Sequence, residues 1–327
     1  MRNFSYFRAT SPAEAGRAAQ QAGAMFLAGG TTLLDLAKCG VSEPDTVIDI
    51  THLSGMNGIA VDAAGAKIGA LARMSDVADH KDIRAAFPAV SESLALAASA
   101  QLRNMATIGG NLLQRTRCSY FRDPGAFVAC NKRNPGSGCS AIGGVTRNHA
   151  VLGTSASCIA SYPGDLAVAL VAFDAVIETD SRKVVVDDFF LAPGDTPDRE
   201  TVLRRGEMIM AIDIPASAAA RNSTYIKVRD RQSYEFAAAS AAVGLELEAD
   251  GRTVRDIRVA LGGVATKPWR VRAVEQALVG KVLEADVVEK ASRLAMEGAV
   301  EHGGNRHKIE LAPRVVARAI LKVGGLA

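Results

Sequence analysis

FSYFRATSPAEAGRAAQQAGAMFLAGGTTLLDLAKCGVSEPDTVIDI, residues 4–50, is the stretch that decides the fold. FSYFR reads as a short strand. Ser11-Pro12-Ala13-Glu14 then has the form of a capping box, with Pro12 at the first helical position and Glu14 placed to reach back to a free amide. A helix to about Gly23 follows. AMFLA is an apolar strand, LLDLAKCG a helix closed by Gly40, and TVIDI (46–50) a third strand. Strand–helix–strand–helix–strand is a βαβ pattern.

Outward from there, GIAVDAAGAKIGAL reads as a hairpin turning at Ala64-Gly65. Ser75 to about Arg103 reads as helix, interrupted at Pro88. MATIGGNLLQ carries a second glycine doublet. Residues 115–155 show no period, and so long an irregular stretch is functional or disordered. YPGDLAVALVAF reads as a capped apolar helix, AVIETDSRKVVV as a hairpin about Asp180-Ser181, and GEMIMAIDIP as a strand ending at Pro215. The small, polar ASAAARNS (216–223) marks a domain boundary. Beyond it TYIKVRD, AAASAAVGLELE and TVRDIRVALGGV form a sheet. VRAVEQAL, DVVEKASRLAMEGAV and APRVVARAILKV follow as helices, an α+β order.

The 327 residues suggest about two domains at roughly 150 residues each. Apolar residues at 48% and charged at 22% are ordinary for a globular chain and exclude collagen-like or coiled-coil architectures. The net charge of +3 and the 5% aromatic content give no sign of a nucleic-acid or membrane-surface binder. No apolar stretch reaches the roughly 18–20 residues of a membrane span. MRNFSYFRATSPAEAG has no apolar run after Arg2, so no signal peptide of its own is expected.

Two loops invite an anion. LAGGTTLLD joins a strand to a helix start, where glycine lets a ligand approach the backbone and consecutive amides can form a nest. Thr31 and Thr32 add hydroxyls, and the helix end adds partial positive charge. A plain tight turn is the competing reading. It is not a Rossmann fingerprint, because G-x-G-x-x-G is absent. MATIGGNLLQ offers Thr107 and Asn111, and YPGDL places Asp165 at a helix start, where capping is its simplest role. Three such features suit a long, folded diphosphate ligand.

Four of the five cysteines, Cys118, Cys130, Cys139 and Cys158, fall within one eighth of the chain. An odd total in a chain of this size argues against a disulfide framework. Their spacing, C-x11-C-x8-C-x18-C, fits neither zinc fingers nor the usual ferredoxin runs. Between Asn111 and Gly164 six cations face one acid, Asp123, a local net of +5. Such a loop would offset the negative charge of a thiolate-ligated iron–sulfur cluster and ease its reduction. Buried structural cysteines, or a basic loop meeting an acidic partner, read equally well from spacing and charge.

RNMATIGGNLLQRTRC, LAGGTTLLD, YPGDLAVAL, KVRDRQSYEFAAAS, CNKRNPGSGC and RVALGGVATKPWR together resemble the FAD-binding subunits of the molybdenum hydroxylases, the xanthine dehydrogenase family. The likeness is nearest to the flavin and iron–sulfur subunits of the bacterial periplasmic aldehyde oxidoreductase branch, and it covers nearly the whole chain. It implies an α+β fold: a two-lobed FAD-binding domain of the vanillyl-alcohol-oxidase type over 1–217, then a domain like the C-terminal part of the CO dehydrogenase flavoprotein over 222–325. It implies that Leu27, Ala28, Gly29, Gly30, Thr31, Thr32, Leu33, Leu34 and Asp35 form the pyrophosphate loop. Thr107, Gly110, Asn111, Asp165, Ile209 and Lys227 match further FAD contacts. The loop at about 115–160 resembles an insertion that holds a 4Fe-4S cluster on Cys118, Cys130, Cys139 and Cys158. Cys39 matches no ligand. The first cysteine spacing is a little longer than that branch leads one to expect, with the extra residues around Gly125–Val128.

The implied work is electron transfer. A partner large subunit with a molybdenum cofactor would oxidise an aldehyde to a carboxylic acid. Electrons would pass through 2Fe-2S clusters on a small subunit to FAD here, and on to an external acceptor. The chain would be periplasmic by co-export with a signal-bearing partner, or cytoplasmic. No nucleophile–base constellation stands out. His52, His80, His149, His302 and His307 are scattered as surface or packing residues. Lys227 is placed to tune the flavin, and Tyr234 and Glu235 to face it. A self-sufficient flavin oxidoreductase and a non-enzymatic zinc-loop scaffold are the alternatives.

Overall fold

The opening βαβαβ stretch folds into a small parallel sheet. In the computed structural model, which describes residues 1–326, β1 (Ser5–Arg8), β2 (Ala24–Leu27) and β3 (Thr46–Asp49) lie in the order β1-β3-β2. The central strand buries Val47 and Ile48, while its neighbours stay partly exposed. The first helix, Pro12–Ala18, ends before the expected Gly23. The chain needs the remaining residues to turn into β2, and Gly23, at φ +71°, makes that turn while its carbonyl accepts from Asp45 at 2.8 Å. Ser11 Oγ accepts from the Glu14 amide at 3.2 Å. The Glu14 carboxylate, however, takes the amide and hydroxyl of Thr10, one residue earlier than a capping box requires.

A second, antiparallel sheet comprises β4 (Ile59–Val61), β5 (Gly65–Gly69), β6 (Val176–Thr179), β7 (Lys183–Val185) and β8 (Ile209–Pro215), in the order β4-β5-β8-β6-β7. Both expected hairpins are present, and β8 joins them. The helix expected over Ser75–Arg103 is instead four short ones: Met74–Asp79, Lys81–Ala86, Pro88–Ala95 and Ala100–Arg103. Pro88 explains one break, since it forces Phe87 out of helical geometry. His80, extended at ψ 118°, and Ala98, at φ +48°, make the others.

The third sheet, β9 (Ser223–Val228), β10 (Ala239–Leu247), β11 (Val254–Gly262) and β12 (Trp269–Arg270), is antiparallel in the order β12-β11-β10-β9. Residues 239–245 of β10 are all buried, so this strand reads as an unbroken apolar run. Helices Arg272–Leu278, Ala285–Ser292 and His307–Val323 follow it, and their apolar residues share one core with those of the third sheet. The last helix begins ahead of the expected Ala312 and takes Pro313 inside it. The 216–223 segment contains a capped helix, Ala218–Arg221, whose Ala219 and Ala220 are fully buried.

Helix Leu166–Ala172, buried along its whole length, packs against the third sheet. Small residues let it in. A Cβ at Gly262 would come within 2.6 Å of Val168 Cγ2, and one at Gly244 within 2.8 Å of Phe173 Cε1. Leu170 belongs to the core shared by the first two sheets. Replacing Leu170 with Ala is expected to lower stability by about 2–5 kcal/mol, read by chemical denaturation, without changing secondary-structure content.

Candidate functional site

Three segments wall a cleft of about 500 Å³ within the first 210 residues: the turn after β2, the turn at Thr107–Gly110, and Leu203–Ile209 leading into β8. Ala28, Gly29, Gly30, Thr31, Thr32 and Leu33 all line it. The amides of Gly29, Gly30, Thr31 and Thr32 have no hydrogen-bond acceptor among the described residues. Four successive free donors facing a cleft are what a phosphate group needs. Gly30, at φ +71°, lets the chain turn there. Gly29 lets the first turn press on the second, for a Cβ would lie 2.0 Å from the Met105 carbonyl oxygen.

The other expected contacts divide. Thr107, Gly110 and Ile209 line the cleft, and Thr107 Oγ1 caps its short helix by accepting from Gly110 at 3.3 Å. Leu27 and Leu34 lie beneath the turn, where their side chains flank Gly30. Asp35 points away and pairs with Arg117, at 3.2 Å, and Arg122. Asn111 is buried, with Nδ2 3.4 Å from Met74 Sδ and Oδ1 unpartnered. Asp165 does not cap its helix. It forms a 2.8 Å ion pair with Lys227, the two side chains 5% and 1% exposed, and Tyr225 donates to it at 2.7 Å. Burial pushes the Asp165 carboxyl up, and Lys227 and Tyr225 pull it back. This pair joins β9 to the first half of the chain and does not line the cleft. Nor do Tyr234, which is exposed at φ +52°, and Glu235, which pairs with Arg231 at 3.2 Å.

Sequence reasoning missed the third wall, in which Arg204, Arg205, Gly206 and Glu207 precede β8. The glycine beside two arginines was its only signal. Glu207 organises this wall. It accepts from Arg182 Nε at 2.8 Å, Thr179 Oγ1 at 2.8 Å and the Arg204 amide at 2.9 Å. Burial raises its pKa, but these donors prevail and hold it at about 2.

The 115–160 stretch is irregular apart from helix Ser119–Arg122, yet its last part is tied down. Val151 donates to Val264 O at 2.8 Å, and the buried Asn305 side chain donates to Ala150 O at 2.9 Å. Within it Cys118, Cys130, Cys139 and Cys158 line one small cavity. Cys130 and Cys139 face each other as an antiparallel bridge, and no disulfide joins them. Among the described residues no three His, Cys, Asp or Glu side chains converge as they would on a single ion. Burial pushes the Cys118 thiol up to about 12 and Cys158 up as well, with Lys132 opposing the latter. Such thiols become thiolates when a metal displaces their protons. His149, expected as a surface or packing residue, is buried with Nε2 3.2 Å from Cys118 Sγ.

The loop's positive charge is not free, as the sequence suggested. Asp35 takes Arg117 and Arg122, Glu200 takes Arg115 and Lys132, and Asp230 takes Arg147 at 3.0 Å. Arg133 donates to the carbonyls of Tyr120 and Phe121 at 3.0 and 2.9 Å. All three acids come from outside the loop.

Comparison with known proteins agrees with this architecture. Residues 2–217 match the family described as the FAD binding domain in molybdopterin dehydrogenase, and residues 224–323 the CO dehydrogenase flavoprotein C-terminal domain. The chain is 47% identical to the aldehyde oxidoreductase FAD-binding subunit PaoB of Escherichia coli, covering 85% of this chain and 86% of that one. It is 29% identical to the glyceraldehyde dehydrogenase medium chain of Sulfolobus acidocaldarius, over 88% and 84% of the two. Among solved structures, a chain of the carbon monoxide dehydrogenase from Hydrogenophaga pseudoflava superposes with a TM-score of 0.76 at 25% identity, over 100% and 99% of the two chains.

The Glu207 wall carries its own pH dependence. A carboxylate held below its ordinary value of 4.5 stabilises the fold fully above that value and loses its contribution as pH falls towards about 2. Stability measured by denaturation over that range is expected to fall more steeply in the unmodified protein than in Glu207→Gln, which is less stable at neutral pH.

Proposed function

The chain belongs to the FAD-binding subunits of the molybdenum hydroxylase family, and on that footing we propose that it is the FAD- and iron–sulfur-binding electron-transfer subunit of a molybdenum-dependent aldehyde oxidoreductase. The observation that carries this reading is the gathering of Cys118, Cys130, Cys139 and Cys158 around one small cavity, in the same chain as a cleft lined by four successive residues with unpaired amides. Its partners are a large subunit with the molybdenum cofactor and a small subunit with 2Fe-2S clusters, and its product electrons go to an external acceptor. No helix among the described residues is long and apolar enough to cross a membrane.

When bound, FAD and a 4Fe-4S cluster supply one- and two-electron chemistry that side chains lack. The chain's own residues hold and orient. The amides of Gly29, Gly30, Thr31 and Thr32 receive the pyrophosphate, Thr107 and Gly110 close the second side, and Ile209 and Leu203 give apolar contact. The thiolates of the four cysteines would hold the iron, and Tyr120, Phe121 and Ala141, packed around them, would shield it. The Asp165–Lys227 pair fixes the second half of the chain against the first.

The purified complex is expected to contain FAD and about four iron and four sulfide per chain of this subunit; zinc in their place would overturn the cluster. Cys130→Ser is expected to bleach the cluster absorbance and leave the flavin spectrum in place. Gly29→Ala, which sets a methyl against the Met105 carbonyl, is expected to cost about 1–3 kcal/mol of stability and to reduce the FAD retained per chain, while iron content holds.

A further inference from the structure

Glu200 lies on a rigid stretch outside the cysteine loop. Its carbonyl accepts from the Leu191 amide at 3.0 Å, the Val202 amide donates to Phe189 O at 3.0 Å, and Phe190 pairs with Thr201. Its carboxylate divides between two cations. Oε2 meets Arg115 Nε, and Oε1 accepts from Lys132 Nζ at 2.7 Å. Lys132, whose side chain is 9% exposed, also donates to Pro197 O at 2.9 Å.

The two cations face different places. Arg115 lines the glycine cleft and lies over the Phe121 ring, 4.7 Å from its centroid. Lys132 lines the thiol cavity alongside Cys158. A further cavity of about 250 Å³, bordered by Arg115, Lys132, Glu200, Cys158 and Tyr162, lies where they meet. One carboxylate thus sits between the two proposed cofactor sites, cancelling one of the two positive charges and fixing the position of the other.

We propose that Glu200 is a positioning residue that sets the charge felt at the thiol cavity, holding Lys132 against it and Arg115 at the flavin cleft. The proposal rests on the reading of that cavity as the cluster site. Net charge and hydrogen bonding around an iron–sulfur centre set its reduction potential, and charges on partly buried groups such as these are screened less than charges in open solvent. Removing the carboxylate therefore raises the potential, because two cations lose their counter-charge. Removing the ammonium lowers it. A structural clasp alone would not give opposite signs.

The test uses the complex with its partner subunits. Iron and sulfide are measured first, in the unmodified protein, in Glu200→Gln and in Lys132→Gln. The midpoint potential of the cluster is then followed by redox titration with electron paramagnetic resonance. The expected result is full iron in all three, a potential shifted up in E200Q and one shifted down in K132Q. No shift in either variant, shifts of the same sign, or shifts in the opposite sense would overturn the assignment. So would loss of iron from either variant, which would mark the trio as a purely structural clasp. Absence of iron from the unmodified protein would instead overturn the cluster itself.

Discussion

Two turns of bare backbone touch in this molecule, and the shape of the N-terminal half follows from that contact. The turn after β2 rests on the Met105 carbonyl where residue 29 has no side chain. The amides of residues 29–32, which line the cleft beside this contact, are left without a protein acceptor. The contact also brings the edge of the parallel sheet against the segment that enters helix Ile108–Leu112, whose Gly109 in turn presses on Ala70 beyond β5. Two sheets with different strand directions are thereby locked at one seam, and the cleft is that seam.

Much of this was legible in the order of residues. Alternation and punctuation located the strands, since several, such as β2, β3, β4 and β8, are bounded by Gly, Pro or Asp. The glycine turns were legible because glycine is the only residue that permits such contacts. What was not legible came from distant partners. Asp165 has the sequence of a helix cap, but a buried lysine and tyrosine from β9 compete for its carboxylate and win, because a charge-assisted pair with a second hydrogen bond outweighs one bond from a neutral amide. Asp35 looked like part of a ligand loop, and two arginines more than eighty positions later claim it. The helix breaks at His80 and Ala98 carry no proline to announce them.

The cysteine loop shows the same lesson in charge. Counted along the chain, it is strongly cationic. Counted in space, Asp35, Glu200 and Asp230 neutralise much of that excess, and Arg133 serves carbonyls. Local composition misjudged the field because the compensating acids lie on other elements. Those acids also do mechanical work: each cation they hold pins an otherwise irregular segment to the scaffold, which explains how forty residues with so little regular structure keep four thiols around one cavity.

The anchoring of this loop to Val264 and Asn305 bears on how the protein matures. The ribosome delivers the four cysteines before the middle of synthesis, but the residues that anchor Ala150 and Val151 of their loop emerge only in the last fifth of the chain. A nascent chain therefore carries this loop without its later anchors for much of its time on the ribosome, and the final setting of the loop is a late event.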